Sequence, residues 1–585
     1  MIPLTINGLV DTEMNDLTAA ETTMRGMMNL WDDNLEGPYG VRHGRQPVSD
    51  FPERDEQGNR RSDTNLFEKA FPCLYPYGRG GIEADRPVQI GFKEHIKWSL
   101  RYFDRRFRKD AIFPFFAFGI SQRREALFSA RFRMKRQTFE RESGIIATVT
   151  KEKLKLARIE EEQKLPISDP AVRLLRRSVQ GVLGHVIASN EMRQRMRSQI
   201  WSTSVYLGPP SLWITINPSD VNNPIAQLFA GGNIDTQDGI HRAVLDPHRR
   251  AQLIADDPYA AAKFFHFLIK TILETLFQIR IDARKVKTSM GVLGRVAAYF
   301  GLVESQGRGT LHLHLLMWLA NTPTTDEIHN LLKTADFRER VVKYIRSNLR
   351  AYLPGLDSAE TVQKIPVERE FACQSPPSPE HPEYDRLLQE DELRLARSEQ
   401  LHTCTLRRCL ITNSTGHLHC KRGAPFPCSE EDFVLENGQW GSKRTYGYVN
   451  GWVPAILINA RCNNDGKLLT NGHDTKNVTY YVTTYAAKKQ GRSYNSSAVF
   501  AKAFDYHIDH AQSQYVGQLK ENARLLVFRS AHALNREQEL AAPMVISYLM
   551  GWGDVYRSHT YCPIYWSSFA SEILQAFPNL SEQAL

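Results

Sequence analysis

The sequence predicts a mixed α+β fold in which helices flank an antiparallel sheet. Residues 211–218 read as a buried strand that ends at a proline, and residues 292–304 and 311–319 form a pair of apolar runs separated by turn-forming residues. Helical patterns over 258–278 and 325–353 frame this pair. The order strand, helix, strand, turn, strand, helix favours an antiparallel sheet with helices on its faces.

The second of the paired strands carries two histidines. His312 and His314 are two residues apart, so a strand would point both imidazoles to one face. Glu304 and Gln306, before the turn, share a face and could each supply an oxygen ligand. Two imidazoles and an oxygen suit a divalent cation with open coordination positions. The alternative is a buried, hydrogen-bonded histidine pair, and residues 417–419 repeat the His-Leu-His spacing elsewhere.

Composition indicates a globular chain with a polyanionic partner. The 585 residues are enough for two to four domains, and 42% hydrophobic with 24% charged residues is ordinary for a packed core. The net charge of +9 favours nucleic acid as the partner. The N-terminus has no basic region typical of a secretory signal, and no apolar run approaches the ~18 residues of a membrane span. These features exclude a membrane partner and favour a reducing compartment.

Shifts in composition suggest five segments. We predict a polar lead-in (1–62), a basic helical DNA-binding region (63–205), the first part of the sheet-bearing core (206–353), a proline-rich linker with a Cys/His insertion (354–440), and the second part of the core (441–585).

The segment over 63–205 is predicted to contain basic helices over 91–109 and 121–136, and a long helix from Pro170 to about residue 201. Basic side chains interleaved with aromatic ones suit phosphate contact and base stacking. The alternative is an amphipathic helix with solvated arginines. The candidate DNA-binding residues are Arg105, Arg106, Arg108, Lys109, Arg123, Arg124 and, in the turn before the histidines, Arg308.

A cysteine-rich stretch follows the linker. Its candidate zinc ligands are His402, Cys404, Cys409, Cys420 and Cys428. Without a secretory signal, such a cluster favours a metal site over disulfides. The stretch has no Cys-x-x-Cys pair, so the particular four ligands stay open, and free thiols in a loop are the alternative.

A second informative stretch spans residues 477–489. A helix there would place Tyr481, Tyr485 and Lys488 on one face, whereas a strand would keep the tyrosines together and turn Lys488 away. Tyrosine pairs at this spacing usually pack in a core. A phenol can also act as a nucleophile when a cation polarises a phosphodiester beside it and a lysine stabilises the developing charge.

Taken together, these motifs resemble the rolling-circle replication initiator (HUH endonuclease) part of Helitron transposons. The resemblance spans most of residues 65–580 and includes FPCLYPYGRGG, LWITINPSDVNNPI, GRVAAYFGLVESQGRGTLHLHLLMWL, YVTTYAAK and PMVISYLMGWGDVYRSHTY. It implies an HUH-endonuclease-like fold and Mg²⁺ or Mn²⁺ held by His312 and His314 with Glu304 or Gln306. It also implies that Tyr481 and Tyr485 are nucleophiles that form a 5′-phosphotyrosine on single-stranded DNA. Lys488, or alternatively Lys489, would be the basic residue after them, and the Cys/His insertion would bind zinc.

The chain departs from the complete Helitron protein in one respect. The phosphate-binding pattern Gly-x-x-x-x-Gly-Lys-Ser/Thr of a helicase is absent from the sequence. ATP hydrolysis is therefore not predicted, and a helicase from another chain is a candidate partner. The leading hypothesis is a nuclear, metal-dependent nickase and strand transferase of single-stranded DNA. The alternatives are an inactive DNA-binding remnant and a metal hydrolase that uses water.

Overall fold

The structure is a computed structural model that describes most of the chain between residues 66 and 577. The described ranges are 66–84, 86–88, 90–135, 138–232, 246–282, 285–306, 309–368, 376–406, 409–412, 416–469, 495–509, 519–562 and 566–577.

Strands and helices both occur along the described chain. The strands are β1 (Leu212–Asn217), β2 (Ile279–Asp282), β3 (Lys285–Thr288), β4 (Met290–Gly291), β5 (Gly294–Ser305), β6 (Leu311–Leu319), β7 (Leu410–Thr412), β8 (Leu418–Cys420), β9 (Phe433–Val434), β10 (Trp440–Gly441), β11 (Asn463–Leu468) and β12 (Val555–Arg557). The helices before β2 are α1 (Leu66–Ala70), α2 (Phe92–Leu100), α3 (Arg106–Lys109), α4 (Phe113–Met134), α5 (Phe139–Ile146), α6 (Lys151–Glu162), α7 (Pro170–Leu183), α8 (Asn190–Leu207), α9 (Pro224–Phe229), α10 (Pro247–Ala255) and α11 (Pro258–Thr271), which continues into a π-helical turn (Ile272–Leu276). The later helices are α12 (Thr325–Leu331), α13 (Ala335–Asn348), α14 (Ala359–Lys364), α15 (Tyr384–Glu399), α16 (Pro454–Ala460), α17 (Ser496–Asp509), α18 (Leu519–Arg536), α19 (Ala542–Leu549) and α20 (Trp566–Ala576).

The central sheet is antiparallel and has the order β11–β1–β6–β5–β12, with β4 paired to the start of β5. The predicted α+β class with an antiparallel sheet and flanking helices is therefore confirmed. Strand β6, which carries both histidines, lies between β1 and β5. Its backbone is therefore paired on both sides, whereas an edge strand leaves one row of N–H and C=O groups unpaired.

Strand β6 is apolar on both faces because helices cover both sides of the sheet. Leu313 and Leu315 belong to the main core, which also includes Phe264 of α11. On the opposite face, Leu316 and Trp318 pack in a smaller cluster with residues of α8. His312 and His314 continue this second face, so α8 lies along the surface that carries the imidazoles.

Two helices predicted as continuous are broken in the structure. The predicted helix over 91–109 ends at Leu100 and resumes at Arg106, because Arg105 adopts a left-handed conformation with φ of 67°. The predicted helix from Pro170 ends at Gly184, and α8 begins anew where the Ser189 side chain accepts a hydrogen bond from Met192 N. After the second break, α8 packs on the sheet, where its residues Met196 and Ile200 contact the cluster that contains Leu316 and Trp318.

The N-terminal helices share a core with helices from late in the chain. Residues of α4 to α7 form one hydrophobic cluster with Val499 and Phe500 of α17 and with Leu526 and Phe528 of α18. Within the described ranges, no helix has the combination of length and apolar character that crossing a bilayer requires.

Candidate metal centre

The candidate metal centre lies where β5, β6 and β1 run side by side. In the register of the sheet, His312 pairs with Glu304 of β5, and His314 pairs with Thr215 of β1. The two imidazoles therefore share a face with the carboxylate, as the two-residue period predicts. His312 and His314 are both buried, with exposed fractions of 8% and 6%.

Three potential ligand groups converge at this point. Nε2 of His312 lies 3.1 Å from Nε2 of His314, and Oε2 of Glu304 lies 3.7 Å and 3.9 Å from these two atoms. The three residues form a group that could hold a metal ion. If one ring carries its proton on Nε2, these two atoms can share a hydrogen bond. If both nitrogens are unprotonated, they repel each other, and a shared cation would remove that repulsion.

Both imidazoles lie in surroundings that favour their uncharged form. Burial and, less strongly, Arg193 lower the pKa of His312 to about 4. Burial, the neighbouring His312 and Arg193, in that order, lower the pKa of His314 to about 3. At neutral pH both rings are therefore uncharged. Nδ1 of His314 lies 3.1 Å from Oγ1 of Thr215. If Nδ1 carries the proton and donates it to this hydroxyl, the lone pair of Nε2 faces Glu304.

Arg193 of α8 forms an ion pair with the carboxylate of Glu304, a contact that was not predicted from the sequence. Its side chain is fully buried, and Nη2 lies 3.5 Å from Oε1 of Glu304. Nη1 donates to Oδ2 of Asp554 at 2.9 Å and to the carbonyl oxygen of Val303 at 3.2 Å. Arg193 therefore lies close enough to Glu304 to offset part of its negative charge.

Gln306, the alternative oxygen ligand, has a different set of contacts. Its Nε2 donates to Oδ1 of Asn217 at 3.0 Å, and its side chain is exposed. The structure thus brings Glu304 together with the imidazoles and links Gln306 to an amide on β1.

Four of the predicted site residues lie outside the described residues. They are Arg308, which falls between β5 and β6 in the sequence, and Tyr481, Tyr485 and Lys488, which follow β11 in the sequence. Their predicted roles stay predictions.

The Cys/His stretch forms a second group that could hold a metal ion. One potential ligand atom each from His402, Cys404, Cys409 and Cys420 lies within 4.8 Å of the others. The hairpin of β7 and β8 pairs Leu410 with Cys420, which brings the ends of the stretch together. Sγ of Cys420 lies 3.3 Å from Nε2 of His402. Three thiols and one imidazole match a structural zinc site.

Cys428, the fifth candidate zinc ligand, is not part of this group. Its side chain is exposed, and its Sγ contacts the carbonyl oxygens of Phe426 and Thr445, each at 3.7 Å. The structure therefore brings together four of the five potential ligands that the sequence spacing left open.

Cys420, which is in the group, and Cys428, which is not, provide a matched test of zinc binding. We expect the purified chain to carry about one zinc ion in this group and Cys420→Ser to lose it, because structural zinc needs all four ligands. Cys428→Ser should keep the metal and serves as the control. Elemental analysis gives the zinc content, and thermal unfolding with and without a chelator gives the stabilisation. Equal zinc loss in both variants would contradict the assignment of the ligands.

Most of the candidate DNA-binding residues contact other parts of the protein. Arg108 is buried and pairs with Asp257 at 2.8 Å, which is also the N-cap of α11. Arg105 donates to the carbonyl oxygen of Ala230 at 2.6 Å. The remaining contacts are those of Arg106 with Asp104, of Arg124 with Glu83, and of Arg123 with His532, while Lys109 is exposed.

Comparison with known proteins covers the part of the chain that carries the histidines. Residues 95–317 match the family model described as the Helitron helicase-like domain at the N-terminus. The match supports a Helitron-related protein. The Helitron-like stretch runs from α2 through β1 and β5 to Met317 in β6, so it contains Arg193, Glu304 and both histidines. No curated protein matches the chain.

Proposed function

We propose that this Helitron-related protein nicks single-stranded DNA and transfers the cut strand through a 5′-phosphotyrosine intermediate. The observation that carries the proposal is the convergence of His312, His314 and Glu304 on one point of the sheet. A transposon-related function follows from the Helitron-like match, and the chemistry is our own inference from the residues.

The residues at this point fit a divalent cation. Two neutral imidazoles and one carboxylate leave coordination positions open for phosphate oxygens, as Mg²⁺ or Mn²⁺ requires. When bound, such a cation would polarise the scissile phosphate and neutralise part of its charge. Arg193 would keep Glu304 turned towards the imidazoles, and Thr215 would keep His314 in the metal-binding tautomer.

Tyr481 or Tyr485 would supply the nucleophile. The phenol oxygen would form a bond to phosphorus, and the bond from phosphorus to the 3′ oxygen would break. That oxygen would leave as a 3′-hydroxyl after taking up the proton that the phenol loses, and Lys488 would stabilise the charge that develops. The second tyrosine would accept the strand in a later transfer.

The length of chain between β11 and Tyr481 is sufficient for this arrangement. Strand β11 ends at Leu468 and lies two positions from β6 in the sheet, roughly 10 Å away across the strands. Leu468 is level with Met317 in the register, so His312 lies a further five residues along β6, or about 17 Å. Tyr481 follows Leu468 by 481 − 468 = 13 residues, which could span up to about 43 Å when extended.

Single-stranded DNA as the substrate is supported by an aromatic ladder of Trp98, Tyr102 and Phe103. Trp98 and Phe103 are 54% and 82% exposed, and each ring lies 5.0 Å from Tyr102 by ring centroids. The cation of Arg106 lies 5.7 Å from the centre of the Tyr102 ring. Exposed rings beside cations suit the stacking of unpaired bases.

The second His-Leu-His motif, residues 417–419, is an internal control for the role of His312 and His314 in formation of the covalent adduct. We expect labelled single-stranded DNA and Mn²⁺ to give a covalent adduct that survives denaturation, and His312→Ala/His314→Ala to abolish it. The loss of both imidazoles should lower Mn²⁺ affinity by more than about 100-fold, since even the partners of ligands contribute 10- to 100-fold. His417→Ala/His419→Ala removes the other His-Leu-His motif, whose side chains are exposed, and should change neither result. An adduct that persists in the first variant would refute a role for the imidazoles.

We also propose a nuclear site of action, where chromosomal DNA is available, and a helicase supplied by another chain to unwind the duplex. A nicking assay with duplex DNA tests the second point, because nicking should then require prior unwinding.

A further inference from the structure

Three side-chain amides form a row beside the candidate metal centre. The carboxamide row consists of Gln306, Asn217 at the end of β1, and Asn463 at the start of β11. Nε2 of Gln306 donates to Oδ1 of Asn217 at 3.0 Å, and Nδ2 of Asn217 donates to Oδ1 of Asn463 at 2.8 Å. Nδ2 of Asn463 in turn donates to the backbone carbonyl oxygen of Glu399 at 2.7 Å.

The row is level with the imidazoles across the sheet. Ile216 pairs with Leu313, so Asn217, the next residue, comes level with His312 in the antiparallel register. Gln306 follows Glu304 by two residues and therefore shares its face of β5. The row thus begins within the same face as the ligand group and extends away from it over β1 and β11.

The backbone carbonyl at the inner end fixes the direction of the whole row. A carbonyl oxygen can only accept, so Asn463 must present its nitrogen to Glu399 and its oxygen to Asn217. The same reasoning then orients Asn217 and, through it, Gln306. The amide of Gln306 is thereby held with one N–H bonded to Asn217. Within the described ranges its second N–H and its oxygen have no hydrogen-bond partner and remain for a ligand.

Gln306 is the most exposed of the three amides and is therefore the one that can contact a ligand. Asn217 and Asn463 are half-buried, whereas Gln306 is exposed at the outer end. A side chain that a neighbour holds in one orientation loses less entropy on binding than a free surface glutamine. The outer end of the row is therefore a preorganised donor and acceptor pair.

We infer that Gln306 recognises the edge of an unpaired base next to the scissile phosphate, and that Asn217 and Asn463 are its positioning residues. A glutamine amide offers the donor and acceptor that match the N6 and N7 edge of adenine, so adenine is the base we expect. The location of this base beside the cut rests on the proposed function. In this arrangement Gln306 contacts the nucleic acid and Glu304 binds the metal.

A binding selection without added metal tests this assignment independently of cleavage. From a pool of single-stranded DNA with random sequence, the wild-type chain should enrich adenine at one position by roughly 5- to 150-fold over the other bases, the range for one bidentate contact. Gln306→Ala should lose this preference, so that its affinity for strands with adenine at that position falls to its affinity for strands with the other bases. Asn217→Ala should weaken the preference, because Gln306 is no longer held. Gln252→Ala, an exposed glutamine on α10, should behave as wild type.

Metal affinity separates the two oxygen-bearing residues. Gln306→Ala should bind Mn²⁺ as the wild type does, whereas Glu304→Gln should bind it more weakly, and thermal unfolding checks that each variant is folded. An adenine preference that survives in Gln306→Ala, or a wild-type chain that selects no base at any position, would overturn the inference. Absence of a covalent adduct together with a Gln306-dependent preference would instead refute nicking and leave the base contact in place.

Discussion

Replacing both Tyr481 and Tyr485 by phenylalanine is expected to abolish the covalent DNA adduct. Phenylalanine keeps the ring and removes the only oxygen that could bond to phosphorus, so the adduct rate should fall by on the order of 10⁴- to 10⁶-fold, as for other nucleophiles. DNA binding should change little, because the metal ligands and the exposed aromatic ladder are intact. Denaturing gels with labelled DNA measure the adduct. The fluorescence polarisation of labelled single-stranded DNA, followed as the protein is diluted, measures the affinity of the protein for that DNA.

The single variants separate the two phenols. If one tyrosine attacks first and the other accepts the strand, one single variant should lose the adduct and the other should lose only strand transfer. Tyr506→Phe, a tyrosine of α17 outside the YVTTYAAK stretch, is the matched control. Cleavage that continues in the double variant would favour a metal hydrolase that uses water, and binding without any cleavage in the wild type would favour an inactive DNA-binding remnant.

The strand that carries the imidazoles could be predicted closely because its signals are local. Residues 311–319 were predicted as a strand and form β6 over the same residues. The apolar run and the glycine-containing turn before it define its limits, and the two-residue period places His312 and His314 on one face. The neighbouring strand, predicted to end at Asn217-Pro218, ends at Asn217 for an equally local reason, since proline cannot continue a sheet.

The partners of the imidazoles could not be predicted in the same way. Arg193 and Glu304 are 304 − 193 = 111 residues apart, and their contact depends on the break between α7 and α8. Gly184 and Ser189 are local signals for that break, as a helix end and an N-cap, and they could have been recognised. That Asn217 lies beside Asn463 depends on the position of β11 in the sheet, which no short-range pattern encodes.

The spacing of residues in the Cys/His stretch likewise did not predict which of its side chains come together. Spacing alone left five candidate ligands because no pair had the Cys-x-x-Cys pattern. The pairing of β7 with β8 brings Cys420 back to Cys409 and His402 and leaves Cys428 on the surface. Residues that are far apart along a loop become neighbours only when a hairpin closes, so the ligand set follows from the fold.

Arg193→Leu is expected to have the largest effect on stability of any single change near the metal centre. Arg193 is fully buried and pairs with Asp554, whose side chain is only 2% exposed. Removing the cation leaves Asp554 as a buried carboxylate, and Glu304 as a partly buried one, without this counter-charge. Breaking a buried pair from one side costs about 3–5 kcal/mol in the free energy of unfolding. Urea unfolding followed by circular dichroism measures this loss.

An exposed ion pair of the same type is the control. Arg340 of α13 pairs with Asp336, and both side chains are more than half exposed. Arg340→Leu should change the free energy of unfolding by less than about 1 kcal/mol, because water already screens that pair. A loss of similar size in both variants would mean that burial of the Arg193 pair has no special effect.

A more conservative variant separates stability from the positioning of Glu304. Arg193→Lys retains the positive charge but cannot contact Asp554, Val303 and Glu304 at once, since an ammonium lacks the planar fork of a guanidinium. We expect this variant to fold and to bind Mn²⁺ about 10- to 100-fold more weakly, the range for residues that orient a ligand. A purely structural arginine would lower the free energy of unfolding and leave the Mn²⁺ affinity of the folded chain unchanged. Titration of the folded Lys variant with Mn²⁺ therefore determines whether Arg193 acts on the metal centre through Glu304 or only supports the fold around it.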